Sequence, residues 1–253
     1  MLSPEDELRL LEPVLRRMVR AALLGKKLLV RGEENFVRSG PNIIIGNHVG
    51  TYKDVALLFR VVPRQIFFLA NRQIFNRQEF SILVRKHLKK HLKKFGLFLN
   101  LMINPYKFLI VEYISTHIAR IGSIPVDLVD NSRFRSRERC QDYLKKNRAI
   151  VSLQGRGRVN PREPNPYVSR FKPGASSIAY HLYTEERISV PVTPLAIHGT
   201  QLPFLIPGHI RVNVGPPMFI KDYLAEGALE TVDRFRSALE ARVKALFMDL
   251  IKP

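Results

Sequence analysis

Residues 42–54 have the sequence NIIIGNHVGTYKD, in which an apolar run ends at Asn47 and His48 and a helical pattern starts near Asp54. A short apolar run of this kind is typical of a strand in an α/β fold. Reactive groups of α/β folds sit where such strands end. The stretch therefore predicts an α/β fold with a functional site at the end of this strand.

His48 and Asp54 are candidates for acid–base chemistry. Imidazole titrates near neutrality, and a neighbouring carboxylate selects one tautomer and stabilises the cation formed when the ring takes a proton. Such a pair suits removal of a proton from an alcohol. A strand-end histidine is also often only a hydrogen-bonded structural residue, so the pair alone leaves both roles open.

Strand and helix patterns alternate along the rest of the chain. The strand patterns are LLVRG, QIFFLAN, SIPVDL, AIVSLQG, VPVTPLAIHG and HIRVNVGPPM. This alternation predicts an α/β fold, a mixed sheet flanked by helices, with an N-terminal amphipathic helix. We expect a single domain over 1–253, in which residues 1–27 form that helix, 28–220 the core and 221–253 a C-terminal helix.

Composition narrows the range of partners. Forty-one Lys and Arg against 22 Asp and Glu give a net charge of +19, which predicts an anionic partner. Phospholipid head groups, nucleic acid, phosphorylated metabolites and acyl carriers all meet that description. The single cysteine, Cys140, excludes disulfide frameworks and cysteine metal clusters, and fits a reducing, cytoplasmic setting.

Two segments have the pattern of membrane-surface elements. The amphipathic N-terminal helix suits either a membrane surface or docking on the core. A basic helix over 84–94 runs into an apolar segment over 95–111 that polar residues and a proline interrupt. Because these interruptions make a membrane span costly, the alternatives are shallow insertion and a kinked core helix.

The motif LQGRGR at residues 153–158 follows the apolar run 149–152. Its glycines let a ligand approach the backbone, and its two guanidinium groups suit a phosphate, although an ordinary basic loop has the same spacing. Ser176 and Ser177 lack the nucleophile-elbow motif, so we expect them to cap a helix. His87 and His91 have no acidic partner nearby, so we expect no metal site.

Taken in order, five motifs resemble the blocks of the PlsC-like glycerolipid acyltransferase superfamily, which includes 1-acylglycerol-3-phosphate acyltransferases. The motifs are NHVGTYKD, IGSIPVDL, VSLQGRGR, FKPGASSIA and VPVTPLAI. The resemblance covers roughly residues 28–220 and implies an acyltransferase core there. It implies that His48 is the general base that activates the acceptor hydroxyl and that Asp54 orients it.

The resemblance also assigns the other site residues. It implies substrate binding by Gln154, Gly155, Arg156 and Arg158, with Gly155 and either Arg156 or Arg158 at the acceptor phosphate. Pro191 and Pro194 of the last block are implied to be structural or to line the acyl chain.

Three positions depart from the family pattern. Five residues separate His48 from Asp54 where the family usually has four, so a bulged turn is needed to restore the geometry. Gln154 replaces a glutamate. Leu128 replaces a basic residue of the second block, for which Arg133, Arg135 and Arg137 are candidate substitutes.

The implied reaction transfers a fatty acyl group from acyl carrier protein or acyl-CoA, as co-substrate, to a lysophospholipid hydroxyl. The preferred acceptor is 1-acylglycerol-3-phosphate, which would give phosphatidic acid, and the alternatives are another lysolipid or glycerol 3-phosphate. We expect no cofactor, and a position on the cytoplasmic face of an anionic membrane. A catalytically lapsed membrane- or nucleic-acid-binding protein is the alternative of another class, but no nucleic-acid-binding motif accompanies the charge.

Overall fold

The structure is a computed structural model that describes residues 12–13, 15–17, 19–71, 124–126, 133–202 and 206–252. The basic segment 84–94, the apolar segment 95–111 and Leu128 lie outside the described residues. Of the predicted N-terminal helix, the residues described between 12 and 22 are helical. Within the described ranges, every helix is too short or too polar to span a bilayer.

The strands and helices follow the predicted patterns closely. The strands are β1 (Lys26–Arg31), β2 (Asn42–His48), β3 (Ile66–Asn71), β4 (Ile124–Val126), β5 (Ala149–Gly155), β6 (Val192–His198) and β7 (Gly208–Val214). The helices are α1 (Tyr52–Val61), α2 (Arg133–Lys145), α3 (Gly174–Glu186) and α4 (Ala228–Ile251), with short 3-10 turns at Glu33–Asn35 and Ile220–Tyr223.

The chain divides into two compact units, one formed by Met1–Leu11 with Leu69–Ser136 and a larger one formed by Glu12–Phe68 with Arg137–Pro253. In the larger unit the strand order is β1-β7-β6-β2-β5-β3, and only the β6–β7 pair is antiparallel. In the smaller unit the end of β3 pairs in parallel with β4. The predicted fold class, a mixed α/β sheet flanked by helices, is confirmed.

The strand β2 lies at the point where the order of the sheet reverses. It pairs with β5 on one side and with β6 on the other, both in parallel. Its residues from Asn42 to Asn47 are all buried, as expected for a strand that is covered on both faces. Ligands of open α/β sheets bind at the carboxyl ends of strands at such a reversal, so His48 at the end of β2 lies in the favoured position.

The prediction that Ser176 and Ser177 cap a helix is wrong. The N-cap of α3 is Pro173, without a side-chain hydrogen bond, and both serines lie inside the first turn. The proline ring fixes φ at this entry, where it is −71°. The Ser177 N–H instead donates to the Pro173 carbonyl at 2.8 Å, an ordinary helical bond.

Candidate active site

Asn47 holds the carboxyl end of β2 in place. The β2–β6 ladder ends at the pair Gly46 and Leu195, and the Asn47 side chain continues it. Its Nδ2 donates to the carbonyl of Ile197 at 2.9 Å and to that of Tyr167 at 3.1 Å, and its Oδ1 accepts the Ile197 N–H at 2.7 Å. The side chain is fully buried, so these bonds position the next residue, His48, rigidly.

The His48 and Asp54 side chains are in direct contact, as the sequence predicts for a catalytic pair. His48 Nδ1 lies 2.8 Å from Asp54 Oδ2. The same oxygen accepts the backbone N–H groups of Val49 at 2.9 Å and Gly50 at 2.7 Å. The Asp54 side chain is fully buried, whereas that of His48 is 22% exposed, so the imidazole is the accessible member of the pair.

A strained turn accommodates the extra residue between the histidine and the aspartate. Thr51 has φ 54° and ψ −121°, a conformation that costs a β-branched residue about 1–3 kcal/mol. Its hydroxyl donates to the Gly157 carbonyl at 2.9 Å, and α1 begins at the next residue. The turn thus brings Asp54 back to His48, as the prediction of a bulged turn requires.

The glycines of the LQGRGR motif pack directly against His48. Gly155 pairs with His48 in the sheet at φ 124°, and a Cβ there would lie 3.0 Å from the His48 carbonyl oxygen. Gly157 has φ 69°, and a Cβ on it would lie 3.0 Å from His48 Nε2. The missing side chain at Gly157 therefore leaves space beside the nitrogen that faces away from Asp54.

The two arginines of the motif are the chain neighbours of Gly157. Arg156 and Arg158 are both exposed, on either side of Gly157, and no hydrogen bond or ion pair of theirs is present among the residues the structure describes. Their assignment to a phosphate stays a prediction.

Gln154 has partners within the chain. Its Nε2 donates to Ser152 Oγ at 2.8 Å, and its Oε1 accepts the Lys172 N–H at 3.0 Å. The buried amide thereby joins β5 to the segment that leads into α3. The role at the substrate predicted for Gln154 stays a prediction beside this structural one.

Other predicted residues also bond within the chain. Arg137 Nη1 lies 2.8 Å from His181 Nε2, and the Arg133 and Arg135 side chains lie outside what the structure describes. The Pro191 carbonyl accepts the Ile43 N–H at 3.0 Å and that of Pro194 accepts the Gly215 N–H at 2.8 Å. These carbonyl bonds give both prolines a structural position in the sheet.

The turn after β6 is a part of the site that the sequence did not indicate. Thr200 is fully buried and packs against Gly50, where a Cβ would overlap the Cβ and Oγ1 of Thr200. Lys53 of α1 donates to the carbonyl of Leu202 in the same turn. Burial, together with the nearby charge of Lys26, lowers the pKa of Lys53, against the opposing effect of Asp54.

Comparisons with known proteins bear on the fold. No protein-family model and no curated protein matches the chain. Among solved structures, the chain is similar to the 1-acyl-sn-glycerophosphate (LPA) acyltransferase PlsC from Thermotoga maritima, with a TM-score of 0.55 and 18% identity. The match covers 95% of this chain and 81% of that one. The chain therefore has a PlsC-like fold, as the sequence motifs predict.

Proposed function

We propose that this protein is an acyltransferase that moves a fatty acyl group from an acyl thioester to a hydroxyl of a lysophospholipid. The observation that carries the proposal is the 2.8 Å contact between His48 Nδ1 and Asp54 Oδ2 at the carboxyl end of β2. The PlsC-like fold and the order of the sequence motifs support it. The preferred acceptor is 1-acylglycerol-3-phosphate, and the product is then phosphatidic acid.

The bonding of Asp54 defines the tautomer of His48. Asp54 Oδ2 already accepts two backbone N–H groups, so it serves His48 as an acceptor too, and Nδ1 carries a proton. The lone pair of the neutral ring is then on Nε2. No side chain at Gly157 crowds that nitrogen, which supports an approach of the acceptor hydroxyl from this side.

The reaction follows from this arrangement. His48 Nε2 takes the proton of the acceptor hydroxyl while the hydroxyl oxygen attacks the thioester carbonyl carbon. Asp54 stabilises the imidazolium that forms. The tetrahedral intermediate collapses, the C–S bond breaks, and the leaving thiolate takes the proton from His48. The products are an ester and a free thiol, and no covalent acyl-enzyme forms.

The charged groups beside the site suit an anionic acceptor. Arg156 and Arg158 flank Gly157 as exposed cations, so a phosphate on the acceptor gains charge-assisted hydrogen bonds there. The donor is acyl carrier protein or acyl-CoA, both of which are anionic and match the net charge of +19. We place the protein on the cytoplasmic face of a membrane, where its lipid acceptor resides.

Acyl transfer by detergent-solubilised protein tests the proposal. Labelled acyl-CoA and acyl carrier protein are offered with lysophosphatidate, other lysolipids and glycerol 3-phosphate, and the wild type is compared with His48→Ala. The matched control is His209→Ala, because the His209 side chain is exposed on β7. We expect transfer to lysophosphatidate by the wild type and the control, and a loss of roughly a thousandfold or more in His48→Ala.

The panel also separates the alternatives. If the protein acylates only another lysolipid, or only glycerol 3-phosphate, it is still an acyltransferase, and the proposed acceptor is wrong. Equal transfer by His48→Ala and the wild type would show that this histidine is not the base. If folded wild-type protein transfers nothing from either donor, the protein is a lapsed relative or a binding protein.

A further inference from the structure

We infer that Thr200 is a positioning residue for the His48–Asp54 pair, through a hydrogen bond from its hydroxyl to Asp54 Oδ1. The inference deepens the proposed function and rests on it for its kinetic consequence. Asp54 Oδ2 has three donors, namely His48 Nδ1 and two backbone N–H groups. Asp54 Oδ1 is buried and has no hydrogen-bond partner among the described residues.

Thr200 supplies the matching donor. Its Oγ1 is also buried without a hydrogen-bond partner in the described part of the chain. Both atoms lie against the same face of Gly50, where a Cβ would overlap Thr200 Oγ1 and lie 2.8 Å from Asp54 Oδ1. Each unpaired buried group costs free energy, and a rotation of the Thr200 side chain that carries its hydroxyl to Oδ1 would remove both costs while the bonds to Oδ2 stay in place.

The turn that carries Thr200 is held in position from three sides. The Leu202 N–H donates to the Gly199 carbonyl at 3.3 Å, and the Gly199 N–H donates to Gln201 Oε1 at 2.8 Å. Gly199 has φ 97°, and a Cβ there would overlap the carbonyl oxygen of His209 on β7. Lys53 donates to the Leu202 carbonyl, so the residue beside Asp54 on α1 also fixes this turn.

The consequence for catalysis is orientation of the carboxylate. A carboxylate held at Oδ2 alone can turn about the Cβ–Cγ bond, which misaligns Oδ2 with the imidazole. A donor on Oδ1 holds the plane of the carboxylate, so that Oδ2 stays on His48 Nδ1 while the ring takes and returns the proton. Thr200 does not touch the substrate in this scheme and acts through Asp54.

A pair of substitutions separates the hydroxyl of Thr200 from its bulk. Thr200→Val keeps the shape and removes the hydroxyl, and Thr200→Ser keeps the hydroxyl. We expect Thr200→Val to lower kcat roughly threefold to tenfold with little change in KM, because one hydrogen bond acts on orientation. Thr200→Ser should retain most of the wild-type kcat. Unfolding temperatures identify a variant that does not fold, in which case Thr200→Ala replaces Thr200→Val.

A spectroscopic readout makes the test independent of acyl transfer. The proton that His48 Nδ1 shares with Asp54 gives a strongly downfield NMR signal, which is assigned by its loss in His48→Gln. We expect Thr200→Val to move or broaden this signal and Thr200→Ser to leave it in place. The inference is overturned if Thr200→Val retains both the signal and kcat, or if Thr200→Ser behaves like Thr200→Val. An inactive wild type with a Thr200-dependent signal would sink the proposed function and leave the inference standing.

Discussion

Gly157 leaves open the side of His48 from which a substrate would approach. Its φ is 69°, and a Cβ added to it would lie 3.0 Å from His48 Nε2, so an alanine there has two separate effects, backbone strain and obstruction. We expect Gly157→Ala to reduce acyl transfer roughly a hundredfold, as for a reacting group displaced by about 1 Å. Rates of acyl transfer by the purified variant measure the effect.

Gly40→Ala is the control for Gly157→Ala. Gly40 has φ 79°, and a Cβ there meets nothing within 4 Å, so it carries the strain without the obstruction. We expect it to lower stability by about 1–2 kcal/mol and to leave acyl transfer unchanged. If Gly157→Ala transfers acyl groups as fast as Gly40→Ala, a side chain at Gly157 does not obstruct His48 Nε2.

At the level of single residues, the contact between His48 and Asp54 was predictable, and the residues that pack around this pair were not. His48 and Asp54 stand out in the sequence because a strand pattern ends at one and a helix pattern begins near the other. Thr200 lies 146 positions beyond Asp54 in the chain, in an ordinary turn sequence, and only the packing of Gly50 against it links the two. Contacts of this kind depend on the order of the strands, which local patterns do not contain.

The junction between β2 and β6 depends on Asn47. Its removal leaves the N–H and carbonyl of Ile197 and the carbonyl of Tyr167 without their partner, at about 1–3 kcal/mol for each buried group left unpaired. We therefore expect Asn47→Ala to lower the free energy of unfolding by about 1–3 kcal/mol for each of these groups. We also expect it to reduce kcat, because His48 is the next residue in the chain. Urea unfolding and acyl-transfer kinetics measure the two effects.

Asn42→Ala is the matched control at the other end of β2. Asn42 is also buried, and its Nδ2 donates to the Pro191 carbonyl at 3.0 Å and to Thr193 Oγ1 at 2.9 Å. We expect a smaller loss of stability than in Asn47→Ala, because the Pro191 carbonyl keeps the Ile43 N–H, and we expect kcat to be unchanged. A similar fall in kcat in both variants would mean that general loosening of β2, and not the position of His48, limits the reaction.

Glu240 joins α4 to the segment that enters α3. Its Oε2 accepts the Phe171 N–H at 2.9 Å, and its Oε1 accepts from Lys244 at 2.6 Å. Burial acts to raise the pKa of Glu240, but the hydrogen bonds from Lys244 and Phe171 and the charges of Lys244 and Arg236 outweigh it, so the pKa lies below its ordinary value of 4.5.

The lowered pKa of Glu240 predicts a pH dependence of stability. The folded state binds a proton at Glu240 less tightly than the unfolded state does. The stabilisation by the ionised carboxylate is therefore complete above pH 4.5 and is lost as the pH falls through the folded-state pKa. We expect the unfolding temperature of Glu240→Gln to fall less steeply below pH 4.5 than that of the wild type. The exposed Glu226, as Glu226→Gln, is the control and should follow the wild type.

The elements themselves were predictable because their patterns are strong. AIVSLQG coincides with β5, and α4 lies within the range 221–253 that was predicted for the C-terminal helix, which it enters seven residues late. The order of the strands was not predictable, because β5 lies between β2 and β3 although it follows both in the chain. Long crossovers bring these strands together, and nine residues of chain separate β6 from β7, the one antiparallel strand pair among the described residues of the larger unit.

The net charge of +19 acts at the scale of the whole molecule. In the proposed function it concentrates the protein at an anionic membrane surface, where each basic residue near the lipid contributes about 1 kcal/mol. Exposed cations beside His48, Arg156 and Arg158 among them, would then face the same anionic environment as the acceptor. The same positive charge would then attract the protein to the membrane and the anionic acceptor to the site.

Electrostatic attraction to an anionic membrane predicts that membrane binding depends on salt. Competition with DNA then distinguishes a lipid partner from a nucleic-acid partner. We expect the protein to bind vesicles that contain phosphatidylglycerol and to bind phosphatidylcholine vesicles little. This binding should weaken as salt rises from about 0.1 M to 1 M, because the electrostatic screening length falls from about 10 Å to about 3 Å. Flotation of the protein with vesicles measures it, and duplex DNA is added as a competitor. Displacement by DNA at low phosphate equivalents would favour nucleic acid as the partner, since a protein built for a lipid surface gains apolar contacts there that DNA does not offer.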